Sequence, residues 1–353
     1  MNRARKALWS ALLFLSVLGC GELFFRVYAP VQDRPEIQLD FDAELLWRLP
    51  ADKLKDPRYQ VNSLGMRGPE IAPKNGKLRL LSLGDSSVFG DLVAYDQIFT
   101  SVAARQLPTL DAAVGGIPGY SSLQARMWLE RIAPTVQPDI LLIGTMWSDA
   151  AQGGESDAQR QARLEATYGA WKPFTKFLQA PAKYSAFFAW TRDRLHNLLE
   201  TRQQKVGWIT DAGVADPPSP DGKKARVSIE DYPKNLEALV ARARELKALP
   251  VLLLLPHPLD DQGQDLPPRY QAYRDAMRAL AAAEKLPLVD GEAWFEAHPC
   301  DPRGFREGTD PATGACTRFA DQIHPNAVGH AELGDALVQT LRDDPQLRAL
   351  LKL

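Results

Sequence analysis

Two short stretches carry residue types that can do chemistry together. Gly84-Asp85-Ser86-Ser87 closes an apolar run, and Asp321-Gln322-Ile323-His324-Pro325 stands just ahead of a helical pattern from Ala327 to Arg342. A serine hydroxyl attacks a carbonyl when a neighbouring base takes its proton. An imidazole base in turn needs a carboxylate on its second nitrogen to fix the tautomer and stabilise the imidazolium. The spacing Asp-x-x-His lets Asp321 reach the His324 ring while the other ring nitrogen faces Ser86. Each stretch alone is ordinary, because Ser and Asp after a strand are common caps, and the elbow Gly-x-Ser-x-Gly is absent. Together they point to nucleophilic chemistry at a serine.

The elements that must position these residues read as an α/β fold. Leu78 to Leu83 is a short apolar run ending at Gly84, as a buried parallel strand does, and similar runs follow at Asp139 to Thr145, Val251 to Pro256 and, more weakly, Pro287 to Asp290. Helical patterns lie between them at Gln97 to Gln106, Ser122 to Arg131, Tyr232 to Ala248 and Arg269 to Lys285. Such alternation argues for a parallel sheet covered on both faces, with ligands collecting beyond the carboxyl ends of the strands. The polar residues at those ends are Gly84 to Ser87, Gly115-Gly116, Trp147-Ser148-Asp149 and Pro256-His257. Arg160 to Gln204 is helix-like and rich in Trp and Phe, and reads either as a cap over the cleft or as an outer layer on the core; Asp211 to Lys224 reads as a surface loop.

In this order the blocks resemble the SGNH, or GDSL-type, hydrolase superfamily. Gly84-Asp85-Ser86 is similar to its nucleophile block, Gly116-Ile117-Pro118-Gly119-Tyr120 to its glycine block, Trp147-Ser148-Asp149 falls at its Asn block, and Asp321 to His324 is similar to its closing Asp-x-x-His. Asn62-Ser63-Leu64-Gly65-Met66-Arg67-Gly68 looks like the lead-in of membrane-anchored bacterial members. The resemblance implies a flavodoxin-like three-layer α/β/α sandwich with a five-stranded parallel sheet. It also implies a serine esterase working without a metal or organic cofactor. Ser86 would attack the ester, His324 would serve as base and then acid, and Asp321 would orient it. The backbone N–H groups of Ser86 and Gly116 would form the oxyanion hole. Its third donor in the family is an Asn side chain, and here Ser148 stands at that position; Val114 likewise replaces an Asn often found two residues before the glycine. Asp85 would support the nucleophile turn.

The 353 residues carry 42 Lys+Arg against 44 Asp+Glu, a formal net charge of -2, with no long basic run, which excludes a general nucleic-acid grip. Arg3, Arg5 and Lys6 ahead of the uncharged run Ala7 to Gly19 form an export signal. Its fate is open. Val17-Leu18-Gly19-Cys20 reads as a lipobox with Cys20 lipidated, whereas Leu23, Phe24 and Phe25 extend residues 7 to 25 into an uncleaved signal anchor, a transmembrane helix. The expected organisation is an N-terminal hydrophobic anchor helix or lipoprotein signal over 1–30, an irregular arm over 31–75, the hydrolase domain over 76–345 with a helical insertion at about 150–225, and a tail over 346–353. Everything after residue 30 would lie outside the cytoplasm. Cys300 and Cys316 would then form a disulfide closing a loop of about 15 residues, worth roughly 3 kcal/mol. His257 either lines the cleft or is structural, His330 packs on the last helix, and His196 and His298 look like surface or loop residues. No His-Glu-x-x-His, Cys-x-x-Cys or Walker spacing appears. The expected partner is a small-molecule or glycan ester, with the membrane met through the N-terminus. Acyl or acetyl transfer, deacetylation of a cell-envelope polysaccharide and a catalytically idle scaffold are the alternatives.

Overall fold

The computed structural model describes residues 3–28, 39–42, 44–50, 59–153, 155–168, 224–261, 263–298, 300 and 317–353. The chain forms two compact units, Met1–Pro35 with Ala162–Gly207, and Glu36–Gln161 with Trp208–Leu353. In the first, the described parts are helix α1 (Arg3–Tyr28) and residues 162–168.

The second unit is built on a parallel sheet of five strands: β1 (Leu78–Gly84), β2 (Leu110–Val114), β3 (Ile140–Gly144), β4 (Leu249–Leu254) and β5 (Leu288–Asp290), in the order β2-β1-β3-β4-β5. Nearly every residue of β1, β3 and β4 is buried, as the unbroken apolar runs require of strands covered on both faces. The edge strand β2 reads Leu-Asp-Ala-Ala-Val and buries only part of its length, and for that reason it lacks the apolar run by which the other four announce themselves.

Among the described residues, ten further helices fill the loops and crossovers of this unit. These are α2 (Ser86–Phe89), α3 (Phe99–Gln106), α4 (Ser122–Val136), α5 (Trp147–Ala150), α7 (Tyr232–Glu245), α8 (Pro258–Asp261), α9 (Pro268–Glu284), α10 (Gly291–Ala297), α11 (Ala327–Asp343) and α12 (Pro345–Leu351), while α6 (Asp157–Tyr168) runs from this unit into the first. Helices α4, α7 and α9 pack side by side as one layer, and α3, α10, α11 and α12 as the other. The predicted helix over Ser122 to Arg131 continues through Pro134 to Val136.

Three boundaries differ from expectation. Among the described residues of the expected irregular arm, Leu45, Leu49, Tyr59 and Met66 are buried, and Asp40–Asp42 pairs with Leu46–Arg48 in a two-stranded ladder. The tail is helix α12, capped by Asp344 and anchored by buried Leu347 and Leu351. Among the described residues no helix is long and apolar enough to cross a membrane, so the expected transmembrane span finds no support there. Of the aromatic insertion only residues up to 168 are described, so its cap-like part, His196 and the predicted loop up to 223 lie outside the described residues, as does Cys316.

Candidate active site

The carboxyl ends of β1, β2 and β3 carry the site. Gly84 pairs with Gly144 in register, so the loops leaving these two strands begin side by side. After β1 the chain turns straight into α2. Asp85 is its N-cap, accepting the Ser87 N–H on Oδ1 at 3.0 Å, and Gly90 closes it in the left-handed region at φ 74°. This turn puts Ser86 in the first position of the short helix, its side chain emerging at the end of the sheet.

The Asp-x-x-His stretch is folded by its own aspartate. Asp321 Oδ1 accepts the N–H groups of Ile323 and His324 at 2.9 and 2.8 Å, an Asx-type turn that leaves Oδ2 to accept from His324 Nδ1 at 2.6 Å. With Nδ1–H committed to the carboxylate, Nε2 is the acceptor, and it lies 2.7 Å from Ser86 Oγ. Asn326 then caps α11 through Val328 and Gly329. Ser87 Oγ donates to the Ile323 carbonyl at 3.2 Å, pinning the turn that carries Ser86 to the loop that carries His324. The structure therefore brings Ser86, His324 and Asp321, 238 positions apart at the extremes of the first contact, into one hydrogen-bonded line.

The electrostatics follow this line. Burial works to raise the Asp321 pKa, but the hydrogen bond and charge of His324 and the two backbone N–H groups outweigh it and bring it down to about 2. For His324 burial favours the neutral ring, yet Asp321 foremost, with Asp91 and Asp85 behind it, shifts the imidazole upward. Asp85 is fully buried, and desolvation raises it to about 6 against the N–H groups of Ser87 and Ser148. Asp149 is raised to about 7 by burial, its Oδ1 accepting both the N–H (2.8 Å) and the hydroxyl (2.5 Å) of Ser122.

The glycine-block loop runs on from β2. Gly115 N–H donates to Ser82 O and Ile117 N–H to Gly84 O, extending the ladder with β1, while the intervening Gly116 N–H has no acceptor among the described residues. Gly116 must lack a side chain, since a Cβ there would sit 2.5 Å from the Phe89 nitrogen in α2. Ser148 lies in the short helix α5 that follows β3. Its N–H donates to Asp85 Oδ2 at 3.3 Å, and its buried hydroxyl has no partner among the described residues. Val114 is buried and gives its carbonyl to the Arg67 N–H. Arg67 itself lies against the Tyr59 and Phe89 rings, 4.6 Å from each centroid, so the Asn62 to Gly68 lead-in buttresses α2, the helix of Ser86, from behind.

The remaining histidines among the described residues are accounted for. His257 is buried against Trp147 with centroids 5.3 Å apart, its Nδ1 accepting the Leu259 N–H. His330 is buried and stacked on Phe99, and exposed His298 stacks on Trp294 at the end of α10. The sequence reading placed Ser87 and Asp149 among the polar residues at the strand ends without giving either a role, and it missed Asp91, Asp157 and Arg226. Asp149 is adjacent to the Asn-block serine, a signal that was available; for Arg226 no spacing or motif marks it. A cavity of about 710 Å³ opens next to Arg226, lined also by Leu123, Arg126, Lys224 and Tyr273, and none of Ser86, Gly116, Ser148, Asp321 or His324 lines it.

A family model described as GDSL-like lipase/acylhydrolase matches residues 82–332. Solved structures with a similar chain path include an α/β hydrolase from the metagenome of Lake Arreo, Spain (18% identity, covering 74% of this chain and 94% of that one, TM-score 0.44). TesA (16%, 76% and 99%, 0.42) and a lipase/acylhydrolase from Enterococcus faecalis (15%, 75% and 95%, 0.42) are others. At these scores the likenesses add nothing to the strand order already described. No curated protein matches the chain significantly.

Proposed function

The chain belongs to the GDSL-like lipase/acylhydrolase family and is an ester-hydrolysing enzyme, and on that premise we propose that Ser86 is its nucleophile, forming an acyl-enzyme with carboxylic esters. The observation that carries this is the unbroken line from Ser86 Oγ through His324 to Asp321, at 2.7 and 2.6 Å. His324 Nε2 takes the hydroxyl proton as Oγ bonds to the ester carbon, and returns it to the departing alcohol; water then repeats the sequence on the acyl-enzyme. Asp321, held well below the usual carboxylate range, stays ionised beside the imidazolium. Negative charge on the tetrahedral oxygen is met by the N–H groups of Ser86 and Gly116, with the Ser148 hydroxyl as third donor. That hydroxyl is buried beside the site with its hydrogen-bonding capacity unused among the described residues, which supports the role.

Purified protein should hydrolyse short p-nitrophenyl esters and be labelled by a fluorophosphonate probe. Ser86→Ala should lower kcat by at least about 10⁴-fold and end labelling. Activity that survives the substitution would overturn the assignment. The relay also weighs against an idle scaffold. Transfer to an acceptor alcohol in place of water would show in the same assay as acyl-acceptor product formed at the expense of free acid.

For location, we propose that α1 tethers the enzyme to a membrane with the catalytic unit on the extracytoplasmic side. Support comes from Trp9, Leu12, Leu13, Val17, Leu23 and Phe24, which lie exposed around a helix whose basic residues Arg3, Arg5 and Lys6 stand at its start. Cys20 is exposed on this helix with a free thiol and is the position a lipid would modify in the lipoprotein alternative. Cys300 takes part in a disulfide, which with Cys20 free supports the Cys300–Cys316 pairing and an oxidising compartment.

A further inference from the structure

Arg226 touches none of Ser86, His324 or Asp321, yet the loops around them converge on it. Its guanidinium, 14% exposed, forms a two-pronged ion pair with Asp157, Nε to Oδ1 at 3.0 Å and one terminal nitrogen to Oδ2 at 2.8 Å. The same terminal nitrogen donates to Gln124 Oε1 at 2.7 Å, in the first turn of α4. The other terminal nitrogen donates to the Gly119 carbonyl at 2.7 Å. The plane of the group lies over Trp47, 5.2 Å from its centroid, and the Trp47 indole donates to the neighbouring Pro118 carbonyl at 3.0 Å. Two successive carbonyls of the loop that contains Gly116 are thus held by Arg226 and by the ring it covers.

The main chain of the same residue serves the other loop. Arg226 N–H donates to Ala151 O, Arg226 O accepts from Asp157 N–H, and the next residue, Val227, donates to Asp149 O. These bonds continue the short ladder between Gln152–Gly153 and Lys224–Ala225 and fasten the segment that leaves β3 through Ser148 and Asp149. Asp157 closes the arrangement by accepting the hydroxyl of Ser121, the N-cap of α4, at 2.6 Å. The Arg226 charge also acts on buried Asp85 and Asp149, the carboxylates that hold the Ser148 N–H and the start of α4.

We propose that Arg226, fixed by Asp157, is a positioning residue for the oxyanion hole, its guanidinium setting the loop that presents Gly116 and its main chain setting the loop that presents Ser148. The inference rests on the serine-esterase reading above. Its chemistry calls for an arginine in particular. One planar fork satisfies a carboxylate, an amide and a carbonyl at fixed angles, which a lysine ammonium cannot reach together. Displacing an oxyanion donor by about 1 Å is enough to cost roughly 100-fold in rate.

The test is steady-state hydrolysis of p-nitrophenyl acetate by the full chain with Arg226→Lys, Arg226→Gln and Asp157→Asn, alongside inhibition by phenylboronic acid, which forms a tetrahedral adduct on the nucleophile. The expected result is a 10- to 100-fold fall in kcat with KM within about threefold. The boronate inhibition constant should rise in step with the loss in kcat. Arg226→Lys keeps the charge and should still lose most of this activity. Folded variants with kcat and boronate affinity within twofold of the parent would overturn the proposal. If Arg226→Gln does not fold, Arg226→Lys decides in the same terms. Failure of the underlying reading looks different, because the parent enzyme would then keep its hydrolysis in Ser86→Ala.

Discussion

Ser86 and His324 need nothing unusual to meet except the aspartate that folds its own loop. Asp321 spends one oxygen on the N–H groups of Ile323 and His324 and the other on the ring, so the carboxylate both shapes the turn and tunes the base. A pH effect follows with a defined sign. In the proposed mechanism the base works as neutral imidazole, and Asp321 raises its pKa by stabilising the imidazolium, so kcat/KM should rise with pH through the His324 titration. Asp321→Asn removes that stabilisation. The acid limb of the pH profile should move to lower pH while kcat falls by up to about 10⁴-fold, since the ring also loses the partner that fixes its tautomer. An acid limb that stays in place or moves upward would show that Asp321 does not set the base. This much of the site was legible beforehand, because Gly-Asp-Ser and Asp-x-x-His are local patterns whose residues act through their immediate chain neighbours.

Between elements, the binding forces are buried carboxylates. Asp85 joins α2 to the loop after β3, and Asp149 joins that loop to the first turn of α4. Both are desolvated enough to hold protons more tightly in the folded chain than in the unfolded one, to about 6 and about 7 against an ordinary value of 3.8. Between pH 4 and 7 the folded state therefore binds more protons, and stability falls as pH rises through that window. The raised His324 acts in the same direction near neutrality, while Asp321, lowered to about 2, adds stability above pH 3.8 that is lost as pH falls toward its own titration. The thermal midpoint should drop by roughly 5–10 °C from pH 5 to pH 8, and Asp149→Asn, which keeps an acceptor for Ser122, should flatten that slope. Equal slopes in parent and variant would refute the role given to Asp149. The edge strand β2 and the Asp157–Arg226 pair were not legible in the same way. The first lacks an apolar run because only part of it is buried, and the second links residues 69 positions apart with no fixed spacing between them.

For the whole molecule the open question is what α1 does with its exposed apolar side chains. If it tethers the enzyme, the full chain should sediment with membranes and resist alkaline carbonate extraction. Its intact mass should still include the residues before Cys20, and alkylation without reduction should leave Cys300 and Cys316 unlabelled. Release by carbonate would sink the anchor, and a mass beginning at a diacylated Cys20 would favour lipidation. The basic start and apolar run are properties of composition and order along the chain, and so are the alternation of buried strands with helices and the Gly-Asp-Ser and Asp-x-x-His blocks; these could be read without coordinates because each depends on near neighbours in sequence. What only the folded chain decided was which distant side chains share the oxyanion loops. Arg226, Asp157, Trp47 and Gln124 meet there because the parallel crossovers bring the ends of β1, β2 and β3 together. A contact between residues far apart in the chain leaves no periodicity or spacing to be read from one sequence.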